Sequence, residues 1–298
     1  MRIPDILSAS DRTRFSLEVF PPKTRARGRG AFQKHLSRIF DTIETLAKHD
    51  PAFISVTYNP ENLTRATSIP LAAIIKERYG IETLPHLTCI NTPPGELRRT
   101  LDVLGYFGLE NIMALRGDQT PGAPRAPLCF DHACDLVHEI RSGAPTLSVA
   151  VACYPEGHPE CVDAEGRRDL DADLRHLVHK VGQGADLAIT QLFLDNGHFF
   201  RLVERARAAG VEVPIVPGIM PMTSADNMRV ARSLTGVHVP EGLERAFAEH
   251  RDEPEELLAT GVEHAIRQCK GLMGRVPCIH FYTMDTWEAT DRIVRALG

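Results

Sequence analysis

Short apolar segments alternate with segments of helical periodicity along the chain, and this alternation restricts the possible fold more than any other feature. The apolar segments are residues 14–22, 52–58, 83–89, 111–118, 147–154, 186–193, 213–217 and 278–283. Helical patterns cover residues 31–49, 68–79, 94–107, 133–142, 169–182, 197–210, 225–234 and 287–297, with an acidic helical insertion at 242–270. The alternation predicts an α/β protein, a single (β/α)8 TIM barrel over residues 1–298 with extra helices before its last strand.

A doubly wound parallel sheet is the alternative α/β fold. Such a sheet would carry a glycine fingerprint between a strand and a helix. Gly28-Arg29-Gly30 does not lie in that setting, and no phosphate loop of the Walker type occurs. The barrel is therefore favoured.

Composition restricts the function more than the fold. With 43% hydrophobic and 24% charged residues, the 298-residue chain has the composition of a soluble globular protein, although this length alone fits one barrel or two domains. The net charge of −5 arises from interspersed charges, which argues against nucleic-acid binding. The basic segment 23–29 is either a solvated loop or a phosphate contact.

The cysteine pattern and the absence of long apolar runs indicate where the protein works. Seven cysteines are an odd number and form no dense framework, and neither a signal peptide nor a run of membrane-spanning length is present. We therefore expect reduced thiols, a cytoplasmic protein and no membrane association.

The apolar run 111–115 ends abruptly on Arg116, Gly117 and Asp118. In a parallel barrel, chemistry collects beyond the carboxyl ends of the strands, and these three residues would lie there. The alternative is an ordinary turn in which Gly117 supplies a positive backbone angle and both charges are solvated.

Three polar residues lie within strands or at their ends and are candidate functional residues. Glu18 lies among apolar neighbours, so it either faces solvent or points into a barrel mouth, where desolvation would make it a proton donor. His86 is also surrounded by apolar residues and would ordinarily be a core histidine. Gln191 lies near the carboxyl end of a strand, and its amide can hydrogen-bond to the donor and acceptor groups at the edge of a heterocycle.

Cys153, His158 and Cys161 raise the possibility of zinc binding. Structural zinc sites need four ligands at recognisable spacings, and neither His176 nor His179 completes this group. We predict no metal.

Several sequence blocks in the same order resemble the methylenetetrahydrofolate reductase family over nearly the whole length. The blocks are Phe15-Ser16-Leu17-Glu18-Val19-Phe20-Pro21-Pro22-Lys23-Thr24, Ser55-Val56-Thr57-Tyr58, Pro85-His86-Leu87-Thr88-Cys89, Ala114-Leu115-Arg116-Gly117-Asp118, Tyr154-Pro155-Glu156 with His158-Pro159-Glu160, Ile189-Thr190-Gln191, Pro217-Gly218-Ile219-Met220-Pro221 and His280-Phe281-Tyr282-Thr283. Each block alone is modest, but together they are specific.

The resemblance implies an FAD enzyme of one-carbon metabolism and methionine biosynthesis. It would reduce 5,10-methylenetetrahydrofolate to 5-methyltetrahydrofolate, with hydride carried by the flavin. Glu18 would be the general acid that protonates the folate amine and opens its ring to an iminium. Asp118 would stabilise that cation and disfavour the anionic reduced flavin.

The resemblance also assigns binding residues. Those that would line FAD are Thr57, Tyr58, His86, Arg116, Gly117, Asp118, His132, Ala133, Tyr154, His158, Asp173 and Lys180. Arg116 and Lys180 would contact the diphosphate or the flavin. Gln191 and Asn227 would bind the pterin.

Three departures from the family pattern concern mainly the substrate side. Where many family members have a glycine-rich turn, this chain has Asn59-Pro60-Glu61-Asn62. An aromatic residue of the family is replaced by Ala231, and the family segment Leu-Asn-Arg is replaced by Met284-Asp285-Thr286. The electron donor is therefore open between NADH, NADPH and a partner protein. The family also implies a homo-oligomer.

Two other functions are weighed against this enzyme. One is a flavin-bound subunit that exchanges electrons only with another protein, which would differ in that NAD(P)H alone would not reduce its flavin. The other is a metal- or lysine-dependent aldolase, for which the chain offers neither a ligand cluster nor a convincing lysine at a strand end.

Overall fold

The computed structural model describes residues 1–22, 29–58, 65–90, 92–117, 130–284 and 286–298. All paired strands are parallel, and they follow the order β7-β6-β5-β4-β3-β2-β1-β9-β8. The strands are β1 (Arg14–Val19), β2 (Phe53–Val56), β3 (Thr83–Thr88), β4 (Asn111–Leu115), β5 (Ser148–Cys153), β6 (Leu187–Thr190), β7 (Ile215–Val216), β8 (Gly218–Ile219) and β9 (Cys278–Tyr282). Each predicted strand is present, generally one to three residues shorter than its apolar segment.

The sheet closes on itself through β7 and β8, which only Pro217 separates. Ile215 pairs with Ala188 of β6, whereas Gly218 pairs with His280 of β9. The two short strands therefore act as one barrel strand with a different neighbour on each half. The predicted eight-stranded (β/α)8 barrel is confirmed.

Gly218 is required by the close approach of strands at this junction. A Cβ atom there would collide with the carbonyl oxygen of Thr190 and would lie 2.6 Å from Cε2 of Tyr282. The glycine N–H donates to Thr190 Oγ1 at 2.9 Å. The barrel can therefore close here only around a residue without a side chain.

Helices cover the outside of the barrel. They are α2 (Arg29–Leu46), α3 (Arg65–Tyr79), α4 (Pro94–Tyr106), α5 (Ala133–Gly143), α6 (Leu170–Gly182), α7 (Asn196–Ala208), α8 (Ala225–Thr235) and α11 (Glu288–Leu297), with a 3-10 turn at Ala47–His49. Several begin at side-chain caps: Asp169 accepts backbone N–H groups of α6, Asp195 of α7 and Ser224 of α8.

The predicted helical insertion at 242–270 consists of two helices. These are α9 (Glu241–Glu249) and α10 (Pro254–Leu272). Pro254 lies at the first position of α10, where its missing N–H costs nothing, and a proline is disfavoured in a helix interior. The proline thus separates the two helices.

A short helix, α1 (Ile3–Ser8), precedes the first strand and is absent from the sequence prediction. Ile3 and Leu7 are buried against the amino-terminal part of the barrel interior, in a cluster that includes Phe53, Leu84 and Met113. The Ile3 N–H donates to Oδ1 of Asn111 at 2.7 Å. Because α1 covers this end, the opposite, carboxyl-terminal end is left for chemistry.

The remaining core lies between strands and helices, so most strand residues are buried on both faces. Within the described residues, no helix combines the length and apolarity needed to cross a membrane. The six described cysteines form no disulfide, and Cys129 lies outside the described residues.

Candidate active site

Most of the predicted site residues lie at the carboxyl ends of the barrel strands. Barrel closure brings these ends into one ring although the residues are far apart in sequence. Those in or directly after a strand are Glu18 in β1, Thr57 and Tyr58 after β2, His86 in β3, Arg116 and Gly117 after β4, Tyr154 after β5, and Gln191 after β6.

Glu18 points into the barrel rather than to solvent, since only 7% of the residue is exposed. Three polar side-chain atoms surround its Oε2: Ser55 Oγ at 3.5 Å, His86 Nε2 at 3.7 Å and His280 Nε2 at 4.0 Å. The backbone oxygen of Glu18 accepts a hydrogen bond from Thr283 Oγ1 at 2.6 Å. Hydrogen bonds therefore reach both the carboxyl group and the backbone of Glu18.

His86 is a neutral neighbour of this carboxyl. Burial lowers its pKa to about 4, and the nearby Glu18 offsets only part of this effect. Its Nε2 is buried and has no hydrogen-bond partner among the described residues. His86 thus presents an unused polar atom to the mouth of the barrel.

Four further residues complete the interior around Glu18 and were not predicted as functional: Ser16, Ser55, His280 and Tyr282. His280 is 1% exposed and stacks on Phe53 with 5.6 Å between ring centroids. Burial raises the pKa of Tyr282 well above its usual value, so its hydroxyl stays protonated and donates to Thr190 O at 2.6 Å.

A sequence signal for this group did exist. Ser16 and Glu18 lie two residues apart on β1, as His280 and Tyr282 do on β9, and residues at that spacing share a face of a strand. Once a barrel is predicted, polar residues that recur with period 2 on neighbouring strands mark its interior.

Arg116 is held by an acidic partner from the next loop. Its Nη1 lies 2.6 Å from Oε2 of Glu160, and this hydrogen bond lowers the pKa of the Glu160 carboxyl. Gly117 follows with a φ of +83°, and an added Cβ would lie 2.9 Å from Cβ of Thr88. The turn therefore requires glycine, and the strand end carries a cation whose charge is partly compensated.

The other predicted flavin residues lie after β5, at the start of α5 and on α6. The ring of Tyr154 meets that of His158 edge to face at 4.6 Å. His132 caps α5 directly before Ala133, and its ring stacks on His176 of α6 at 6.4 Å. These contacts place the start of α5 beside α6.

Asp173 and Lys180 both lie on α6 and are partly buried. Burial is the main cause that raises the pKa of Asp173, and burial likewise lowers the pKa of Lys180. Lys180 Nζ donates to Ala152 O at 2.5 Å, which ties the helix to β5.

The two predicted substrate residues are held differently. Gln191 Oε1 accepts from the backbone N–H of Leu192 at 2.8 Å. Asn227 belongs to the first turn of α8, and its Oδ1 accepts from the hydroxyls of Thr223 and Ser224. Ala231, one turn further, is 3% exposed and packs in the core between α8 and α9 rather than facing an open site.

Some predicted positions cannot be placed. Asp118, the segment 59–62 and Asp285 lie outside the described residues. Across the described part of the chain, no three His, Cys, Asp or Glu side chains form a group that could hold a metal ion. Cys153, His158 and Cys161 therefore do not come together as such a group.

Comparison with known proteins shows which family the chain belongs to. Residues 2–298 match the family model described as methylenetetrahydrofolate reductase. The chain is 34% identical over 284 residues to the 5,10-methylenetetrahydrofolate reductase of Escherichia coli, covering 95% of this chain and 90% of that protein. It is 31% identical over 295 residues to methylenetetrahydrofolate reductase (NADH) 1 of Arabidopsis thaliana, covering 96% of this chain and 48% of that protein.

The chain therefore spans about half the length of the plant relatives that it matches. Among solved structures, it resembles a protein of Clostridium thermocellum described as uncharacterized and as binding two copies of 5-methyl-5,6,7,8-tetrahydrofolic acid. The TM-score is 0.63 at 14% identity, with 100% of this chain and 99% of the other covered. At that identity the likeness concerns the fold.

Proposed function

Because the chain belongs to the methylenetetrahydrofolate reductase family, we propose that residues 1–298 form one catalytic domain that reduces 5,10-methylenetetrahydrofolate to 5-methyltetrahydrofolate. The observation that carries this proposal is the buried carboxyl of Glu18 at the carboxyl-terminal end of the barrel, among uncharged polar groups. A carboxyl group that is shielded from water can act as a general acid and transfer a proton to a bound substrate.

We propose FAD as the cofactor, and the described residues fit it. His86 presents a buried Nε2 without a partner, and Gly117 provides a turn without a side chain that allows close backbone approach. The residues that would hold FAD are Thr57, Tyr58, His86, Arg116, Gly117, Asp118, His132, Ala133, Tyr154, His158, Asp173 and Lys180. When bound, the flavin supplies hydride transfer.

In this proposal Glu18 donates its proton to the folate amine nitrogen. The N–H bond forms as the O–H bond breaks, and the electron pair of the O–H bond stays on the carboxylate. The folate ring then opens to the electron-poor carbon that accepts hydride. Asp118 would stabilise the positive charge on the substrate.

Gln191 and Asn227 would orient the pterin. An amide offers both a donor and an acceptor, which matches the mixed edge of that heterocycle. Gln191 would have to exchange its present hydrogen bond with Leu192 N, or keep it and use its free NH2 group.

We propose NADH as the electron donor, in line with the printed names of the plant relatives. The alternative is a flavin-bound subunit that exchanges electrons with a partner protein. Ala231 favours that alternative, because a buried alanine stands where the family resemblance implies an aromatic ring that can stack on nicotinamide or folate. We further propose a cytoplasmic homo-oligomer, as the resemblance implies.

The test is the absorption spectrum of the purified protein under anaerobic conditions, before and after 5-methyltetrahydrofolate and, separately, NADH. We expect flavin absorbance that is bleached by both compounds. Bleaching by the folate alone would support the partner-dependent alternative. A protein with no bound or bindable flavin would contradict the proposal.

A further inference from the structure

Below Glu18, four polar side chains form a continuous line through the barrel interior. Cys278 Sγ lies 3.3 Å from Ser16 Oγ, which lies 2.8 Å from Nδ1 of His280. On the other side of the imidazole, Nε2 lies 3.3 Å from Ser55 Oγ, which lies 3.5 Å from Oε2 of Glu18. The members come from β1, β2 and β9, so only barrel closure joins them.

The hydrogen bonds in this line can all point the same way. If the Cys278 thiol donates to Ser16, the Ser16 hydrogen is available for Nδ1 of His280. The imidazole proton then lies on Nε2 and is donated to Ser55 Oγ. Ser55 in turn donates to Glu18, so that each donor in the line is directed toward the carboxyl group.

The line ends in the core rather than in solvent. Cys278 is 0% exposed, and burial raises its pKa to about 12, so the thiol does not ionise near neutral pH. It belongs to the apolar cluster that α1 covers. A line with this closed end cannot deliver protons from bulk water, which leaves orientation as its role.

We propose that His280 is a positioning residue, which acts through Ser55 to hold Oε2 of Glu18 so that the other carboxyl oxygen carries the acidic proton toward the folate. This inference rests on the proposed function. In the transfer, the proton leaves Glu18 for the amine nitrogen, while Ser55 and His280 keep their protons. Hydrogen bonds donated to Oε2 also stabilise the carboxylate that remains.

Other titratable groups also face Glu18, and any test must distinguish their effects from that of His280. These are His86 from β3 and Tyr282 from β9, and both contribute to the electrostatics of the site. His280 itself faces Glu18, His86, Tyr282 and, through Ser16, Cys278. Variants confined to His280 and Ser55 leave His86 and Tyr282 unchanged.

Two substitutions of His280 distinguish hydrogen bonding from packing. His280→Phe keeps a ring on Phe53 but removes the donor, whereas His280→Gln places an amide N–H near the position of Nε2. Ser55→Ala breaks the same line while His280 is kept, and it serves as the test if His280→Phe does not fold. His264→Gln is the matched control, because His264 is a partly buried histidine bonded to Leu194 O outside this line.

The first readout is the rate of each half-reaction across pH. We expect His280→Phe and Ser55→Ala to slow the folate half-reaction by about 10-fold or more, the loss typical of a hydrogen bond to a charged group, and to shift the basic limb of its pH profile upward. Flavin reduction by NADH should stay near normal. His280→Gln should restore most of the rate, and the double variant should be no slower than either single variant.

The second readout does not depend on catalysis. The carboxyl stretch of Glu18 can be assigned in infrared spectra by its loss in Glu18→Gln and titrated in the protein alone. In His280→Phe this band should persist to higher pH than in the wild type, whereas His264→Gln should leave it unchanged. An unshifted band, or equal rates for His280→Phe and wild type, would overturn the inference.

Failure of this inference differs from failure of the proposed function. If Glu18→Gln reduces folate normally, the acid assignment fails whatever His280 does. If Glu18→Gln is inactive and His280→Phe is normal, only the positioning role fails. If the protein lacks folate activity altogether, the infrared titration still decides whether His280 acts on Glu18.

Discussion

Nε2 of His86 lies 3.7 Å from Oε2 of Glu18, with both residues less than 10% exposed. The pair is not a salt bridge at neutral pH, because burial lowers the pKa of His86 to about 4. Because its imidazole is uncharged, His86 places no positive charge next to the Glu18 carboxyl. A neutral neighbour suits the proposed role of Glu18 as a proton donor. The lowered pKa of His86 also makes the stability of the folded protein depend on pH.

The stability of the protein should fall as the pH is lowered from about 6.5 toward 4. In that window the unfolded chain binds a proton at His86 and the folded protein does not, so acid favours unfolding. The loss attributable to His86 is at most about 3 kcal/mol. Denaturant unfolding between pH 4 and 7 measures it, and His86→Gln should flatten the dependence. An unchanged slope in that variant, with His138→Gln as an exposed control, would contradict the prediction.

Replacing Glu18 with glutamine should separate the two half-reactions. Gln keeps the shape of the side chain but has no acidic proton, so folate reduction should slow by about 100-fold or more. Flavin reduction by NADH should be close to that of the wild type. Stopped-flow absorbance of each half-reaction measures this, with Glu165→Gln as a control at an exposed ion pair. Equal loss of both half-reactions would remove the assignment of Glu18 as the acid.

Removing the charge of Glu160 should tighten flavin binding. Arg116 is paired with Glu160 at 2.6 Å, and a flavin phosphate would have to compete with that carboxylate. Since the Glu160 side chain is 62% exposed, the gain should be small, a decrease in Kd of roughly 2- to 5-fold. Titration of the flavin-free protein with FAD measures it for Glu160→Gln, with Glu165→Gln again as control. Weaker binding in Glu160→Gln would argue that Glu160 orients Arg116 instead of competing for it.

Truncating Ile3 should destabilise the barrel from the end opposite the site. Ile3 is completely buried by α1 against the barrel interior, so Ile3→Ala should cost about 2–5 kcal/mol of unfolding free energy. Ser8→Ala, on the exposed side of α1, should change stability by less than about 0.5 kcal/mol. Both half-reactions should keep near-normal rates at a temperature where the variant is folded. A neutral Ile3→Ala would mean that α1 does not close the barrel in solution.

Sequence patterns located nearly all of the regular structure. The apolar run 111–115 and its relatives predicted the strands because a strand covered on both faces needs apolar residues at every position. The patterns did not predict α1, since six residues are too few to show a helical period. They predicted the extra helices at 242–270 but not the boundary between α9 and α10, which Pro254 marks.

Sequence alone determined the alternation of strands and helices, and hence the barrel, because burial and helical periodicity are properties of neighbouring residues. Only the tertiary structure decided the surroundings of Glu18: Ser55 and His280 are separated from it by 37 and 262 positions in the chain, and the pairing of β1 with β2 and with β9 brings them within 4.0 Å. Such contacts depend on the register between neighbouring strands, which the alternation of polar residues within a single strand does not determine.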